Sequence, residues 1–440
     1  MSAISPARRR ALIDALRRGT VPQHGLDALA VGIERFEAAI DQELDAVAAG
    51  GATFRAIRGE YGSGKTFFVR WLAERARRRG FATSEVQISE TETPLHRHET
   101  VYRRIVERLS TPEQDDGALR GVLDAWFYAL DEDIVAEGAV DARDSTSLAA
   151  RSTELLERRL GDVGRRAPAF AAALRGYRSA LADGRREDAE GLLSWLGGQP
   201  HVAAHVKRSA GIRGEIDHDA ALGFLQGLLV VLRDSGLAGL VVVLDEVETL
   251  QRVRGDVRER ALNALRQLID EIDAGRYPGL ALVITGTPAF FDGPQGVQRL
   301  PPLASRLATD FTTEPRFDNP RAIQIRLPGF DLNSLCVLGA RVRDIYADGT
   351  EHGARIRQQV DDRYIADLAQ AVTGSLGGRV GVAPRVFLKK LVADVLDRVD
   401  QFPDFDPRQH YALTLSDGEL TAVERAASEA KGPDDVELDL

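Results

Sequence analysis

Cysteine is almost absent from this chain of 440 residues, which contains only Cys336. A single cysteine excludes an intrachain disulfide framework and is typical of a reducing compartment. No apolar run approaches the roughly 20 residues that a membrane-spanning helix needs. The N-terminal stretch MSAISPARRRALIDALRRG lacks the apolar core of a signal peptide. We therefore expect a cytoplasmic protein with no membrane partner.

Lysine is also scarce, and the overall charge is acidic. The formal net charge is -10, which opposes a global electrostatic affinity for DNA but allows a local basic patch. The histidines show no metal-ligand spacing, because His96 and His98 are two residues apart and would point to different faces of a helix. The lysines are Lys65, Lys207, Lys389, Lys390 and Lys431.

One of these lysines lies in GEYGSGKT, residues 59–66, which matches the phosphate-binding pattern G-x-x-x-x-G-K-[ST]. The glycines of this stretch allow backbone turns that point successive N–H groups at a phosphate. Lys65 would reach the β and γ phosphates, and the Thr66 hydroxyl would bind Mg²⁺. A strand pattern before the loop and a helix pattern after it disfavour a glycine-rich turn without a ligand. The predicted nucleotide contacts are Gly59, Tyr61, Gly62, Ser63, Gly64, Lys65, Thr66 and Phe67.

A pair of acidic residues follows a second apolar stretch, GLVVVLDEVETL. Leu240 to Leu244 form the continuous apolar run of a strand that is covered on both faces. Asp245 would hold Mg²⁺ through water, and Glu246 would polarise the attacking water. Glu246 distinguishes a protein that hydrolyses a nucleotide from one that only binds it, since simple binding needs no base at this position.

A third strand pattern, GLALVITGTPAFF, ends in Thr285. In a parallel sheet this hydroxyl would lie beside the two acidic residues, where it would sense the γ phosphate or orient water. A threonine that only caps the strand end is an equal alternative.

Two arginines downstream are candidates for an arginine finger. Arg306 follows Ser305 in RLPPLASRLATDF and would reach the nucleotide of a neighbouring subunit. A surface arginine on a helix explains it at least as well, and Arg299 is a weaker competitor.

Strand patterns alternate with helical ones along much of the chain, which indicates an α/β fold with a parallel sheet. Ligands of such sheets bind at the carboxyl ends of the strands, where all of these candidate residues lie. The predicted strands are 52–58, 83–89, 240–244, 280–285 and 322–327.

Long helical regions interrupt and follow this alternation. Roughly residues 90–236 read as helices, and we interpret their aromatic residues, such as Phe170 and Tyr177, as core rather than as a surface for stacked bases. Beyond Gly329 the pattern is helical again, and such a domain often closes over the nucleotide. Arg385 would contact the γ phosphate, or else form a solvated or nucleic-acid-facing surface with Lys389 and Lys390.

These patterns divide the chain into six segments, the last of them ending in an acidic tail that we expect to be disordered. The segments are an N-terminal helical segment with the adenine-side linker (1–50), the first part of the core (51–110), a helical insertion (111–215), the second part of the core (216–328), a helical lid (329–400) and the tail (401–440).

Five segments together resemble the functional regions of AAA+ ATPases. The loop resembles Walker A, LVVVLDE resembles Walker B, and Thr285 resembles sensor 1. SRL at 305–307 resembles the arginine-finger region, and APR at 383–385 resembles sensor 2. More narrowly, the chain resembles the BrxD-type ATP-binding proteins of BREX bacteriophage-exclusion systems. The segments that carry this resemblance are RRGTVPQHGLDALAVGIERF, FRAIRGEYGSGKTFF, TPLHRHETVYRRIVERLS and GLVVVLDEVETL. The resemblance covers roughly residues 10–400.

The resemblance implies an ATP-hydrolysing AAA+ protein of prokaryotic defence that uses ATP and Mg²⁺, forms a homo-oligomer, and acts with other proteins of its system and on or with DNA. It also implies that Val21 and Pro22 line the adenine pocket. The long helical insertion departs from the basic AAA+ plan, and we expect no appended winged-helix domain in the residues after 400.

Three functions fit these expectations. The first is a motor or loader whose ATP hydrolysis remodels a DNA-bound complex. The second is a nucleotide-dependent switch or scaffold in which hydrolysis is incidental. The third is a sequence-independent DNA clamp, whose affinity would fall steeply with salt.

Overall fold

The computed structural model describes residues 4–136, 145–375 and 383–413. Its centre is a sheet of five parallel strands in the order β2-β3-β4-β1-β5. The strands are β1 (Thr53–Arg58), β2 (Ala82–Gln87), β3 (Leu240–Asp245), β4 (Leu280–Gly286) and β5 (Gln324–Arg326).

The predicted α/β class and parallel sheet are confirmed, with strand bounds that differ by one to two residues at most ends. β3 includes Asp245, which pairs in register with Gln87 of β2. β4 runs on to Gly286, opposite Arg58 of β1. Because strands in register end at the same level, the polar residues at their carboxyl ends share one edge of the sheet.

Helices α1 and α2 precede β1, and α3 lies between β1 and β2. Helices α4 to α11 all lie between β2 and β3. The bounds are α1 (Pro6–Arg18), α2 (Glu34–Ala48), α3 (Lys65–Arg78), α4 (His98–Glu107), α5 (Leu119–Ala136), α6 (Ser145–Arg159), α7 (Gly161–Arg166), α8 (Pro168–Ala182), α9 (Arg186–Leu196), α10 (Ala204–Ser209) and α11 (His218–Asp234).

The remaining helices follow β3. They are α12 (Gly255–Asp273), α13 (Pro288–Asp292), α14 (Pro301–Leu307), α15 (Leu332–Ala347), α16 (Gly353–Gln359), α17 (Asp362–Ser375), α18 (Ala383–Lys389), a π-helical segment (Lys390–Leu396), α19 (Asp397–Gln401) and α20 (Pro407–His410). No helix in these three described ranges combines the length and apolarity of a membrane crossing. The predicted disorder at the end of the tail concerns residues outside the described ranges.

Both faces of the sheet are covered, which explains why β3 and β4 are apolar along their length. Val241 and Val243 point to the face covered by α2 and α3. Val242 and Leu244 point to the opposite face, which packs against residues of α4, α11 and α12. Alternate side chains of one strand therefore belong to two different cores.

The helices between β2 and β3 extend the second of these cores. Phe170 and Tyr177 of α8 are buried there, as are Trp126 and Trp195. Their burial agrees with the interpretation of these aromatics as core. Tyr128 differs, because its side chain is 65% exposed and its hydroxyl bonds to a glutamate one turn away on α5.

A separate hydrophobic core joins α1 to the helices that follow β5. Leu12 and Leu16 of α1 pack with Leu335 of α15 and Leu391 of the π-helical segment. Arg17 of α1 also forms an ion pair of 2.6 Å with an aspartate of α19. The N-terminal helix thus packs with the C-terminal helices, a long-range contact that no local pattern indicates.

Between α1 and α2 the chain crosses α3 and is held there by a buried carboxylate. The two oxygens of Glu74 accept hydrogen bonds of 2.9 Å from the backbone N–H groups of Gly25 and Leu26. Trp71 of the same helix donates to Asp27 at 2.8 Å. These bonds fix the segment that continues N-terminally to residues 21 and 22.

We expect Glu74→Gln to lower the free energy of unfolding by about 1–3 kcal/mol, because the amide presents N–H groups to a backbone donor. The thermal unfolding midpoint and the rate of proteolysis within residues 19–30 measure the effect. Glu90→Gln, a change of an exposed carboxylate, is the control. Equal midpoints for the two variants would contradict this account.

Two histidine rings stack where the N-termini of α4 and α11 meet. The ring centroids of His98 and His218 are 3.9 Å apart. His98 is buried, and neither of its ring nitrogens has a hydrogen-bond partner among the described residues. Burial, together with smaller contributions from the nearby His218 and His96, lowers the pKa of His98 to about 3.

This burial predicts a loss of stability in acid. Between pH 6.5 and about 3 the unfolded chain binds a proton at His98 that the folded chain does not, so stability falls as pH falls through this window. His98→Leu should remove about 2 kcal/mol of the destabilisation between pH 7 and pH 4.5. Urea midpoints at several pH values test this, with the exposed His205→Leu as control. Parallel pH profiles for wild type and His98→Leu would disprove it.

Candidate functional site

The glycine-rich loop joins the end of β1 to the start of α3, as the motif requires. Gly62 and Gly64 have φ angles of 78° and 91°, a left-handed conformation that favours glycine. A Cβ at Gly59 would collide with the Ser63 hydroxyl. The loop therefore needs glycine at these three positions, and its backbone can approach an anion closely.

The ammonium group of Lys65 lies inside this loop and is surrounded by oxygen atoms. It donates hydrogen bonds of 2.9 Å to the carbonyl of Gly59 and 3.3 Å to that of Glu60. It also lies 5.1 Å from the centre of the Tyr61 ring. These neutral acceptors hold the lysine where a phosphate can replace them.

Asp245 connects the loop to two neighbouring strands. The Thr66 hydroxyl donates to its Oδ2 at 3.2 Å. The Thr285 hydroxyl of β4 donates to its Oδ1. The structure thus brings Thr66, Asp245 and Thr285 into one chain of hydrogen bonds, two of them being the predicted Mg²⁺ ligands.

Glu246 adopts an unusual backbone conformation directly after this aspartate. Its φ of 61° is the only positive value among the non-glycine residues of the described ranges. Its N–H donates to the Thr285 hydroxyl at 3.0 Å, which supports the turn. Its side chain accepts a bond of 2.8 Å from the amide of Gln87 at the end of β2. Strained residues of this kind cluster at functional sites.

Glu248 is a second carboxylate at the loop that the sequence analysis did not single out. Its Oε1 lies 3.6 Å from Nζ of Lys65, and both side chains are buried. Burial raises the pKa of Glu248, and the charge of Lys65 opposes that shift. The signal in the sequence was the third acid of DEVE, two residues after Glu246.

The predicted adenine-side residues lie against α3. The carbonyl of Val21 accepts a bond of 3.0 Å from Arg70, and Pro22 is buried. Phe330, after β5, lies 3.6 Å from the position of a Cβ on Gly64. Phe67 packs against two of the hydrophobic cores, one of which also contacts Phe330. Phe330 was not predicted, because it follows its strand in a segment without a motif.

The remaining predicted arginines have contacts in other parts of the chain. Arg306 donates to the Pro302 carbonyl at 2.9 Å and forms an ion pair with Asp270 of α12. Arg299 contacts Gln295 at 3.4 Å. Arg385 lies near the end of α1, with Nη1 3.7 Å from the position of a Cβ on Gly19.

The donor set suits a magnesium triphosphate. No group of three or more His, Cys, Asp or Glu side chains in the described residues could hold a metal alone. Thr66 would supply an oxygen ligand directly and Asp245 would hold Mg²⁺ through water, and Mg²⁺ commonly completes its shell with water and phosphate oxygens. The loop amides and Lys65 would bind those phosphates.

Comparison with known families agrees with this geometry. A family model described as BREX system ATP-binding protein BrxC/D matches residues 4–415. A comparison with curated proteins gives no match. The resemblance stated from the sequence motifs is confirmed by the family match. The chain belongs to the family of BREX system ATP-binding proteins BrxC/D.

Proposed function

We propose that the chain is a AAA+ ATPase of a BREX-like defence system that hydrolyses ATP to remodel or load a DNA-associated protein complex. The observation that carries the proposal is the hydrogen-bonded chain of Thr66, Asp245 and Thr285 beside the buried Lys65. The family is described as one of ATP-binding proteins. Hydrolysis, Mg²⁺, DNA and oligomer formation are the proposed extensions.

In this mechanism each residue of the cluster has a separate task. The loop amides and Lys65 bind the β and γ phosphates, and Thr66 and Asp245 hold Mg²⁺, which neutralises phosphate charge. Glu246 orients and polarises water, and Thr285 positions that water or senses the γ phosphate.

Around this cluster, the lid and the N-terminal segment would enclose the rest of the nucleotide. Val21 and Pro22 line the adenine pocket in this proposal, and we add Phe330 because it lies at Gly64. Arg385 reaches the γ phosphate when the lid, residues 329–400, closes.

An alternative is an ATP-dependent switch or scaffold that recruits partners with little turnover. The bond from Gln87 to Glu246 favours this reading, because it occupies the carboxylate that hydrolysis requires. Under this alternative, ATP binding changes the affinity for partner proteins while the Glu246 carboxylate keeps its bond from Gln87.

Hydrolysis is tested by two substitutions. Lys65→Ala should abolish ATP binding, since the ammonium is lost, and Glu246→Gln should bind ATP but turn it over roughly 10²–10⁴-fold more slowly. ATPase rates are measured with and without duplex and single-stranded DNA, together with molecular size in ATP. Glu259→Gln, an exposed carboxylate on α12, is the control. A wild-type rate equal to that of Glu246→Gln under every condition would rule out the motor.

Arg306 is tested by mixing inactive variants. If it acts on a neighbouring subunit, Arg306→Ala should lower turnover by roughly 10³-fold or more. Mixing Arg306→Ala with Lys65→Ala should restore part of the activity, because an intact arginine then faces an intact loop. Arg299→Ala, measured in the same way, tests the weaker candidate. Unchanged turnover in Arg306→Ala, or no recovery on mixing, would contradict a role in trans.

A further inference from the structure

Two opposite charges are buried together at the glycine-rich loop. The side chain of Lys65 is 9% exposed and that of Glu248 is 5% exposed. The distance from Nζ to Oε1 is 3.6 Å, which is an ion pair but longer than a hydrogen bond. Neither oxygen of Glu248 has a hydrogen-bond partner in the part of the chain that the structure describes. The lysine is therefore the charge that compensates this carboxylate.

Two of the three N–H donors of Lys65 have hydrogen-bond acceptors, the carbonyls of Gly59 and Glu60. Glu248 is paired with the same ammonium group by charge, at 3.6 Å. A buried carboxylate without a nearby cation is strongly destabilising. The position of the Lys65 ammonium therefore depends on the charge of Glu248.

A nucleoside triphosphate would compete for the same ammonium group. The β and γ phosphates need Lys65 for charge compensation, and they bring further negative charge close to Glu248. Two anions near one cation repel each other, most strongly where burial limits screening by water and salt. Nucleotide binding must therefore separate Lys65 from Glu248 or work against their repulsion.

We propose that Glu248 is a positioning residue that serves as the counter-ion of Lys65 in the nucleotide-free protein and yields it to the phosphates of a nucleoside di- or triphosphate. This inference rests on the proposed function, since it requires a polyphosphate in the loop. Glu248 keeps the lysine in place between turnovers. By forming the ion pair with Lys65 again, Glu248 also lowers the affinity for the product nucleotide.

Nucleotide affinity provides the first test. Glu248→Gln keeps the shape of the side chain and removes its charge, so ADP and a non-hydrolysable ATP analogue should bind roughly three- to tenfold more tightly. AMP should bind as it does to wild type, because Lys65 contacts the β and γ phosphates. Dissociation constants by calorimetry need no turnover. Unchanged or weaker binding of both polyphosphates would overturn the proposal.

A matched control separates the specific pair from general electrostatics. Glu60→Gln removes a charge from the same loop, but this side chain is exposed and screened by solvent. Its effect on nucleotide affinity should be clearly smaller than that of Glu248→Gln. Equal effects would mean that net charge, and not the buried pair, sets the affinity. Glu248→Met provides the same comparison if Glu248→Gln does not fold.

Thermal unfolding without nucleotide provides the second test. Lys65→Ala leaves Glu248 without its counter-ion and should lower the unfolding midpoint by roughly 3–6 °C. Adding Glu248→Gln to Lys65→Ala should restore most of that loss. A merely structural role predicts that Glu248→Gln lowers the midpoint in both backgrounds, and that result would refute the pairing. The unfolding cycle does not involve hydrolysis, so an inactive wild type would refute the proposed function and leave this inference standing.

Discussion

The buried charge of Lys65 is the constraint on which the rest of the site depends. An ammonium group with little solvent must be surrounded by acceptors and compensated by an anion. Two loop carbonyls and one carboxylate meet this need in the structure. Phosphate oxygens are the natural replacement, because they supply both the acceptors and the negative charge. A phosphate-binding loop must therefore also provide acceptors and a counter-charge for its lysine when no phosphate is bound.

The sheet makes this arrangement rigid by the register of its strands. Asp245 pairs with Gln87, and Ile57 of β1 pairs with Thr285 of β4. The residues that follow at this edge are therefore brought together by backbone hydrogen bonds and not by flexible side chains. Functional groups on rigid strands hold their geometry better than groups on loops. The αL turn at Glu246 is the strained exception, and bonds from its N–H support it.

Much of the fold was predictable, because strands covered on both faces are apolar over their whole length. Leu240 to Leu244 show this pattern, and the loop motif identifies the strand before it. The bounds were less accurate at β2, predicted as 83–89 and observed as Ala82–Gln87, and at β5, predicted as 322–327, where only three residues form the strand. The contact between α1 and the C-terminal helices was not predictable. It depends on apolar faces, such as that of Leu12 and Leu16, whose pattern is the same whichever partner covers them.

The sequence by itself determined the elements and their chemistry: the parallel strands, the glycines with left-handed backbone, the lone lysine of the loop, and the acids after β3. These follow from local periodicity and from residues adjacent in the chain. Only the tertiary structure decided that Gln87 bonds Glu246, that Phe330 lies at Gly64, and that Glu248 compensates Lys65. Their partners lie far along the chain, and the burial that gives such contacts their energy exists only after the layers have packed.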